Sequence, residues 1–184
     1  MKYEVEQKFR VSDAGALEAR LAAMQAKIHQ PVLQVDIYYA HPCRDFSQTD
    51  EALRIRREGD QSWITYKGPK LDKTTKTRHE IDLALPSADD QEDFGSLLEA
   101  LGFTKVREVR KHRRKVELTW QGQPVDAALD EVEGLGTFIE LEILTSQDKM
   151  EAAKRCLSEL AQHLELGQSE RRSYLELLLD STRA

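Results

Sequence analysis

Cysteine, long apolar runs and net positive charge are all scarce in this sequence, and each shortage excludes a class of protein. The 184 residues include only two cysteines, Cys43 and Cys156, which excludes a disulfide framework and a cysteine-rich metal knuckle. No run of about 18 apolar residues occurs, so we expect no membrane-spanning helix. The N-terminal residues lack the apolar stretch of a signal peptide, so we expect a cytoplasmic protein.

The charge balance is acidic. Lysine and arginine number 27 and aspartate and glutamate 33, a net charge of −6, which disfavours a nucleic-acid partner because such domains are usually basic. Charged residues still make up 33% of the chain. No internal repeat, low-complexity segment or linker is evident. We therefore expect residues 1–184 to form one domain with a substantial core.

Hydrophobic periodicity predicts several short strands of antiparallel type with helices between them. The predicted strands are Tyr3–Phe9, Leu33–Tyr39, Leu53–Arg57, Trp63–Lys67, Thr77–Leu85, Thr104–Arg110, Lys111–Trp120, Val125–Val132 and Phe138–Leu144. The predicted helices run from a Ser12 or Asp13 cap to Ile28, from a Ser87 cap to Leu101, and over Gln147–Leu164 and Ser169–Leu179. This order indicates an α+β fold with a large antiparallel sheet or barrel.

Nearly every predicted strand has one charged face and one apolar face, because side chains alternate across a strand. The first strand places Glu4, Glu6 and Lys8 on the same face. Later charged faces carry Asp36, Arg54, Arg56, Lys67, Arg78, Glu80, Lys111, Arg113, Asp130, Glu140 and Glu142. An ordinary sheet with one solvated side explains this pattern. A barrel with a charged lumen and an apolar, helix-covered exterior explains it too.

A lumen that contains charges of both signs suits a metal-bound oligophosphate. Arginine and lysine bind phosphate oxygens, whereas clustered carboxylates repel phosphate unless a cation lies between them. Mg²⁺ and Mn²⁺ prefer oxygen ligands and commonly bind through carboxylates together with substrate phosphates.

An ordered set of motifs then resembles a known family, the CYTH superfamily of triphosphate tunnel metalloenzymes. The motifs are E-V-E-Q-K-F, D-I-Y-Y, A-L-R-I-R-R, T-Y-K-G-P-K, T-R-H-E-I-D, V-R-K-H-R-R, L-D-E-V-E-G-L-G-T-F-I-E-L-E and R-R-S-Y-L-E-L-L, which together extend from Glu4 to Leu178. The resemblance implies an eight-stranded antiparallel β-barrel that forms a tunnel with a charged lumen and helices packed outside. It also implies Mg²⁺ or Mn²⁺ as the cofactor.

The resemblance assigns roles to individual residues. It implies metal-side carboxylates at Glu4, Glu6, Glu80, Asp130, Glu140 and Glu142. It implies triphosphate-binding cations at Lys8, Arg54, Arg56, Lys67, Arg78, Lys111, Arg113 and Arg172. Lys67, Tyr38 and Lys8 are the expected catalytic residues, and the resemblance associates the pair of Lys67 and Tyr38 with the hydrolases of the family.

The motifs most resemble class IV adenylyl cyclases, which convert ATP to cyclic AMP and pyrophosphate. The alternatives are an inorganic tripolyphosphatase or a thiamine or nucleoside triphosphatase, and a non-catalytic polyphosphate or nucleotide sensor. Ala40 stands where thiamine triphosphatase-like members have an acidic residue, which weakens that alternative. We expect a small-molecule triphosphate such as ATP or tripolyphosphate as partner, no nucleic acid or membrane, and a monomer or homodimer.

Overall fold

The strands and helices follow the predicted order closely. A computed structural model describes residues 3–70, 78–87 and 90–181, and for Lys70 and Arg78 the backbone only. The strands are β1 (Tyr3–Arg10), β2 (Lys27–Ile28), β3 (Val32–Ala40), β4 (Ala52–Glu58), β5 (Gln61–Lys70), β6 (Arg78–Leu85), β7 (Thr104–Trp120), β8 (Gln123–Val132) and β9 (Gly136–Thr145). The helices are α1 (Ala14–Ala23), α2 (Phe46–Thr49), α3 (Asp90–Ala100), α4 (Met150–His163) and α5 (Tyr174–Ser181).

The strands form one antiparallel sheet in the order β1-β9-β8-β7-β3-β4-β5-β6, and the short β2 pairs with β7. The edge strands β1 and β6 approach each other, so the sheet curls into a half-barrel around a central space. Within the described ranges no ladder of hydrogen bonds joins these two edges. The predicted α+β fold, an eight-stranded antiparallel barrel with a charged lumen and outer helices, is confirmed in the form of a curled half-barrel sheet.

The apolar strand faces point outward and helices cover most of them, whereas Ile81 and Leu83 on β6 stay exposed. Helices α1 and α4 cover β1, β7, β8 and β9, where Leu17, Leu157 and Leu160 pack on Val5 and Phe9. Helix α3 covers β3, β4 and β5 in a second apolar cluster. Each leucine that is fully buried in this way contributes about 1.5–3 kcal/mol. The charged faces therefore line the interior, and the alternative of an ordinary solvated sheet does not apply.

Helix α5 departs from the predicted arrangement because it packs against the inner face of the sheet. Tyr174 and Leu178 contact Val109, Val132 and Phe138, which occupy inward-facing positions near one end of the half-barrel. These strand positions are apolar where the rest of the inner face is charged. Burial of that apolar surface accounts for a helix at this end of the interior.

Two predictions of element boundaries were wrong: the end of helix α1, and the division of β7 into two strands. Helix α1 ends at Ala23 instead of Ile28, because Gln25 adopts a positive φ of 59° and Lys27–Ile28 pairs with β7 as a strand. The segments Thr104–Arg110 and Lys111–Trp120 are one 17-residue strand. It is continuous because its first part pairs with β3 and its second part with β8.

The last helix also begins later than predicted, at Tyr174 instead of Ser169. Ser169 forms a bridge with Phe9, and the Glu170 N–H donates to the Lys8 carbonyl at 2.7 Å, so these residues extend the sheet pairing. Ser173 and Glu176 then form a reciprocal capping box, with the Glu176 N–H donating to the Ser173 Oγ at 3.1 Å and the Ser173 N–H donating to the Glu176 Oε2 at 2.5 Å.

The predicted starts of one strand and one helix fall at the limits of the described residues. Thr77, where the fifth predicted strand begins, lies outside them, and β6 is described from Arg78. Residues 88 and 89 also lie outside them, and α3 is described from Asp90. None of the helices in the described part of the chain is long and apolar enough to cross a membrane.

Candidate active site

The interior of the half-barrel contains a cavity of about 930 Å³. Most of the predicted site residues line it, because they occupy the inward-facing alternate positions of β1, β3, β4, β5, β6, β7 and β9. These are Glu4, Glu6, Lys8, Tyr38, Arg54, Arg56, Lys67, Glu80, Lys111, Arg113, Glu140 and Glu142. The fold therefore brings basic and acidic groups from distant parts of the sequence into one space.

One wall of the cavity is acidic. Glu6 on β1 lies directly opposite Glu142 on β9, and Glu4 lies two residues before Glu6 on the same face. Burial, against the opposing effect of Lys67 and with the help of the nearby Glu142 and Glu6, raises the pKa of Glu4 to about 8. Burial, together with Glu6 and Asp126, likewise raises the pKa of Glu142 to about 7. Burial and mutual repulsion therefore both disfavour the ionised forms of these carboxyl groups.

The opposite side of the cavity presents arginines held by a buried carboxylate, Asp36. Arg56 donates to Asp36 through Nε at 2.6 Å and Nη2 at 2.7 Å, and Arg54 donates through Nη1 at 3.3 Å. Burial by itself raises the pKa of Asp36, but the two guanidinium groups outweigh burial and hold that pKa well below its usual range. Asp36 therefore stays ionised and fixes both arginines toward the cavity.

A second buried carboxylate, Asp130, accepts hydrogen bonds from another set of cations. Its oxygens accept from Lys111 Nζ at 3.1 Å, from Arg113 Nε at 2.7 Å and Nη2 at 2.5 Å, and from the Tyr174 hydroxyl at 2.9 Å. Burial and the neighbouring Arg113 lower the pKa of Lys111 to about 8, against the opposing effect of Asp130. Arg113 also contacts Glu140.

Lys67 and Tyr38, two of the expected catalytic residues, both line the cavity. Lys67 forms an ion pair with Glu80 across β5 and β6, with Nζ 2.7 Å from Oε2. Tyr38 lies close to Arg54. The third, Lys8, is 1% exposed.

Two predicted site residues do not line this cavity. Asp130 is 0% exposed and lies behind the cavity wall, where it binds cations of the protein. Arg172 is not among the lining residues, and it pairs with Glu170 at 2.6 Å and with Asp180 at 3.0 Å. The side chain of Arg78 lies outside the described residues.

Sequence reasoning missed two residues that the fold brings to the site, Asp36 and Tyr174. Asp36 shares the inward face of β3 with Tyr38, so alternation placed it in the lumen, but nothing in the sequence showed that it would pair with the arginines of β4. Tyr174 belongs to the R-S-Y motif, and the capping box of Ser173 and Glu176 was the available signal that α5 begins at this tyrosine.

The acidic wall offers hard oxygen donors of the kind that Mg²⁺ and Mn²⁺ prefer. Among the residues that the structure describes, no three His, Cys, Asp or Glu side chains are already gathered as a metal site. The donor chemistry of Glu4, Glu6 and Glu142 nevertheless fits a divalent cation, because a bound cation would offset the burial and the mutual repulsion that raise the pKa of Glu4 and of Glu142.

A second, smaller cavity of about 410 Å³ adjoins the first. Arg113, Glu140 and Glu142 line both cavities. The smaller cavity also contacts Gln34 and Glu58, which are hydrogen-bonded to each other across β3 and β4. The contact between Arg113 and Glu140 therefore lies at the boundary between the two cavities.

Comparison with known proteins gives matches over nearly the whole chain. The family model described as CYTH domain matches residues 2–174. A Methanocaldococcus jannaschii protein named "Putative adenylate cyclase MJ0240" is 37% identical over 95% of this chain and 97% of its own. Adenylate cyclase CyaB of Aeromonas hydrophila is 30% identical over 96% and 88%.

A solved structure supports the same relationship. The PH1819 protein of Pyrococcus horikoshii superimposes with a TM-score of 0.85 at 42% identity, covering 97% of this chain and 99% of that one. The match of the family model, the identity to full-length relatives and the shared architecture agree, and this chain belongs to the CYTH domain family.

Proposed function

We propose that this protein is a divalent-metal-dependent enzyme that acts on a triphosphate, most like a class IV adenylyl cyclase that converts ATP to cyclic AMP and pyrophosphate. One observation carries the proposal. A single cavity combines a set of inward-facing cations, Lys8, Arg54, Arg56, Lys67, Lys111 and Arg113, with the carboxylate wall of Glu4, Glu6 and Glu142.

The cations suit a polyphosphate because they come from β1, β4, β5 and β7, and so surround the ligand from several sides. Arg54, Arg56 and Arg113 are held by buried aspartates, so little side-chain freedom remains to be lost on binding. A volume of about 930 Å³ lies in the range of cavities that hold nucleotide-sized ligands. Phosphate oxygens would accept hydrogen bonds from these fixed donors, as transfer chemistry that depends on positioning requires.

Glu4, Glu6 and Glu142 would hold Mg²⁺ or Mn²⁺, which when bound neutralises phosphate charge and lowers the pKa of an attacking hydroxyl or water. In the cyclase reaction the ribose 3′-oxygen forms a bond to the α-phosphorus. The bond from that phosphorus to the α,β-bridging oxygen breaks, and pyrophosphate leaves with the electron pair. The 3′-hydroxyl proton passes to solvent or to a carboxylate of the wall.

The protein's own cations stabilise the charge that develops. Lys111 and Arg113 lie beside the phosphate-binding space and would stabilise the leaving pyrophosphate. Lys67 and Tyr38 line the same cavity and would orient the attacking group, while Lys8 binds a phosphate oxygen. Each of these roles uses a side chain whose position the sheet already defines.

The names of the relatives favour the cyclase. The Aeromonas hydrophila protein is named an adenylate cyclase, and the Methanocaldococcus jannaschii protein carries a related name. A triphosphate hydrolase is the second candidate, because Lys67 and Tyr38, the pair that the family resemblance associates with hydrolases, line the cavity together. In that case water attacks a terminal phosphorus and orthophosphate is released.

Product analysis tests the proposal directly. Purified protein is incubated in parallel with ATP, tripolyphosphate and thiamine triphosphate, with Mg²⁺ or Mn²⁺ and with an EDTA control. Cyclic AMP and pyrophosphate from ATP support the cyclase, and orthophosphate supports the hydrolase. Tight binding of tripolyphosphate without turnover of any substrate would instead establish a sensor. Turnover that persists in EDTA would contradict the metal-dependent mechanism.

A further inference from the structure

The ring of Tyr174 faces two buried lysines at the inner end of α5. The ring centroid is 4.0 Å from Lys8 Nζ and 5.0 Å from Lys111 Nζ, both within the range of cation–π attraction. Tyr174 is itself buried and lines the large cavity. The ring of Phe138 packs against it with centroids 5.2 Å apart in an edge arrangement, which fixes its orientation.

The hydroxyl of Tyr174 is held as firmly as its ring. It donates to Asp130 Oδ2 at 2.9 Å, the oxygen that also accepts from Lys111 Nζ. Burial, together with the nearby carboxylates of Glu140 and Asp130, raises the pKa of Tyr174 well above its usual value. The hydroxyl therefore stays protonated and keeps α5 attached to the cation cluster around Asp130.

The aromatic face adds to the charge compensation of Lys8 and Lys111, which have almost no contact with water. They are 1% and 3% exposed, and an ammonium group removed from water is unstable unless its charge is compensated. A further carboxylate at this position would neutralise the ammonium groups and repel a phosphate. An aromatic face stabilises the positive charge and leaves it in place for an incoming anion.

We propose that Tyr174 is a positioning residue for triphosphate binding: its ring keeps Lys8 and Lys111 directed into the cavity, and its hydroxyl joins α5 to Asp130. The C-terminal helix thereby completes the phosphate-binding wall. The inference rests on the proposed function, because it takes the two lysines to be phosphate ligands.

Three variants separate the ring, the hydroxyl and the packing of α5. Tyr174→Leu removes the ring, Tyr174→Phe removes only the hydroxyl, and Leu177→Ala loosens α5 in the same apolar cluster without touching the ring. Calorimetric titration with tripolyphosphate should show about tenfold weaker binding by Tyr174→Leu. We expect Leu177→Ala to stay within about threefold of the wild type because it retains the aromatic face, and Tyr174→Phe to lose less affinity than Tyr174→Leu because it loses only the hydroxyl contact with Asp130.

Equal affinity of Tyr174→Leu and the wild type would overturn the inference, as would a loss in Tyr174→Phe or Leu177→Ala as large as that in Tyr174→Leu. A second measurement needs no substrate. Acetylation of lysines, followed by peptide mass spectrometry, should modify Lys8 and Lys111 several times faster in Tyr174→Leu than in the other two variants. Equal rates would also overturn the inference. A wild type that binds no tripolyphosphate would refute the proposed function, while the labelling rates would still decide the role of Tyr174.

Discussion

Asp36 and Arg56 form a two-pronged ion pair in the wall of the cavity, with Asp36 Oδ1 at 2.6 Å from Arg56 Nε and Asp36 Oδ2 at 2.7 Å from Arg56 Nη2. The same carboxylate accepts from Arg54. An acidic residue inside a candidate phosphate-binding site therefore holds the phosphate-binding arginines in place. Asp130 pairs with Lys111 and Arg113 in the same way. Two buried aspartates therefore hold the cations of β4 and of β7 in place.

Replacement of Asp36 by asparagine should destabilise the fold and weaken ligand binding. Asp36 is 1% exposed, and removal of one partner from a buried ion pair costs about 3–5 kcal/mol. We expect the free energy of unfolding in urea to fall by about 3 kcal/mol, and tripolyphosphate affinity to fall about tenfold because Arg54 and Arg56 lose their support. Asp126→Asn is the matched control, since its side chain is 60% exposed. An equal loss in both variants would contradict the prediction.

The stability gained from Asp36 should disappear in acid. Its pKa in the folded protein lies below the ordinary value of 3.8, so the unfolded state binds the proton more readily. The contribution is therefore present above pH 3.8 and is lost as the pH falls below that value. Urea unfolding of the wild type and Asp36→Asn between pH 7 and pH 2 should show the difference between them shrinking in acid. A constant difference would argue against the ion pair as its cause.

Glutamine in place of Glu6 or Glu140 should abolish activity without unfolding the protein. The substitution keeps the size of the side chain but removes a charge, from the candidate metal wall at Glu6 and from the contact with Arg113 at Glu140. We expect turnover to fall by more than about 100-fold, with unchanged circular dichroism. Glu131→Gln, at an exposed position of β8, should retain full activity. Unchanged turnover in both site variants would remove the basis for the metal site.

Metal should stabilise the protein more at high pH than at low pH. The pKa of Glu4 is raised to about 8 and that of Glu142 to about 7, so without metal the folded state loses stability as the pH rises from about 4.5 through these values. A bound cation offsets that loss because it replaces the protons. Calorimetry with Mg²⁺ or EDTA should show a larger Tm difference at pH 8.5 than at pH 6, and Glu4→Gln should flatten this dependence.

Arg172 and Arg113 should behave differently when each is replaced by alanine. Arg113 lines the cavity and Arg172 does not; the Arg172 side chain is 51% exposed and pairs with Glu170 and Asp180. We expect Arg113→Ala to weaken tripolyphosphate binding at least tenfold and Arg172→Ala to change it less than threefold. Similar losses in the two variants would show that Arg172 reaches the ligand, as the family resemblance implies.

Local patterns in the sequence predicted the main elements and which side of each strand is charged. Alternation is a local property, so Glu4, Glu6 and Lys8 could be assigned to one face from their spacing alone. The same pattern could not distinguish a solvated sheet from a charged lumen. The apolar stripes of α1 and α4 removed that ambiguity only once the helices were seen to cover the outer face.

Properties that depend on contacts between distant residues were decided by the tertiary structure. Asp36 supports the arginines because β3 pairs with β4 in a register that places it opposite Arg56, and no sequence spacing encodes that register. Ser169 and Glu170 extend the pairing with β1, so α5 starts at Tyr174, and the ring of that residue reaches Lys8 from the far end of the chain. The sequence by itself determined which residues are charged and how they alternate. Folding decided which charges meet, because pairing, burial and desolvation act across the whole sheet.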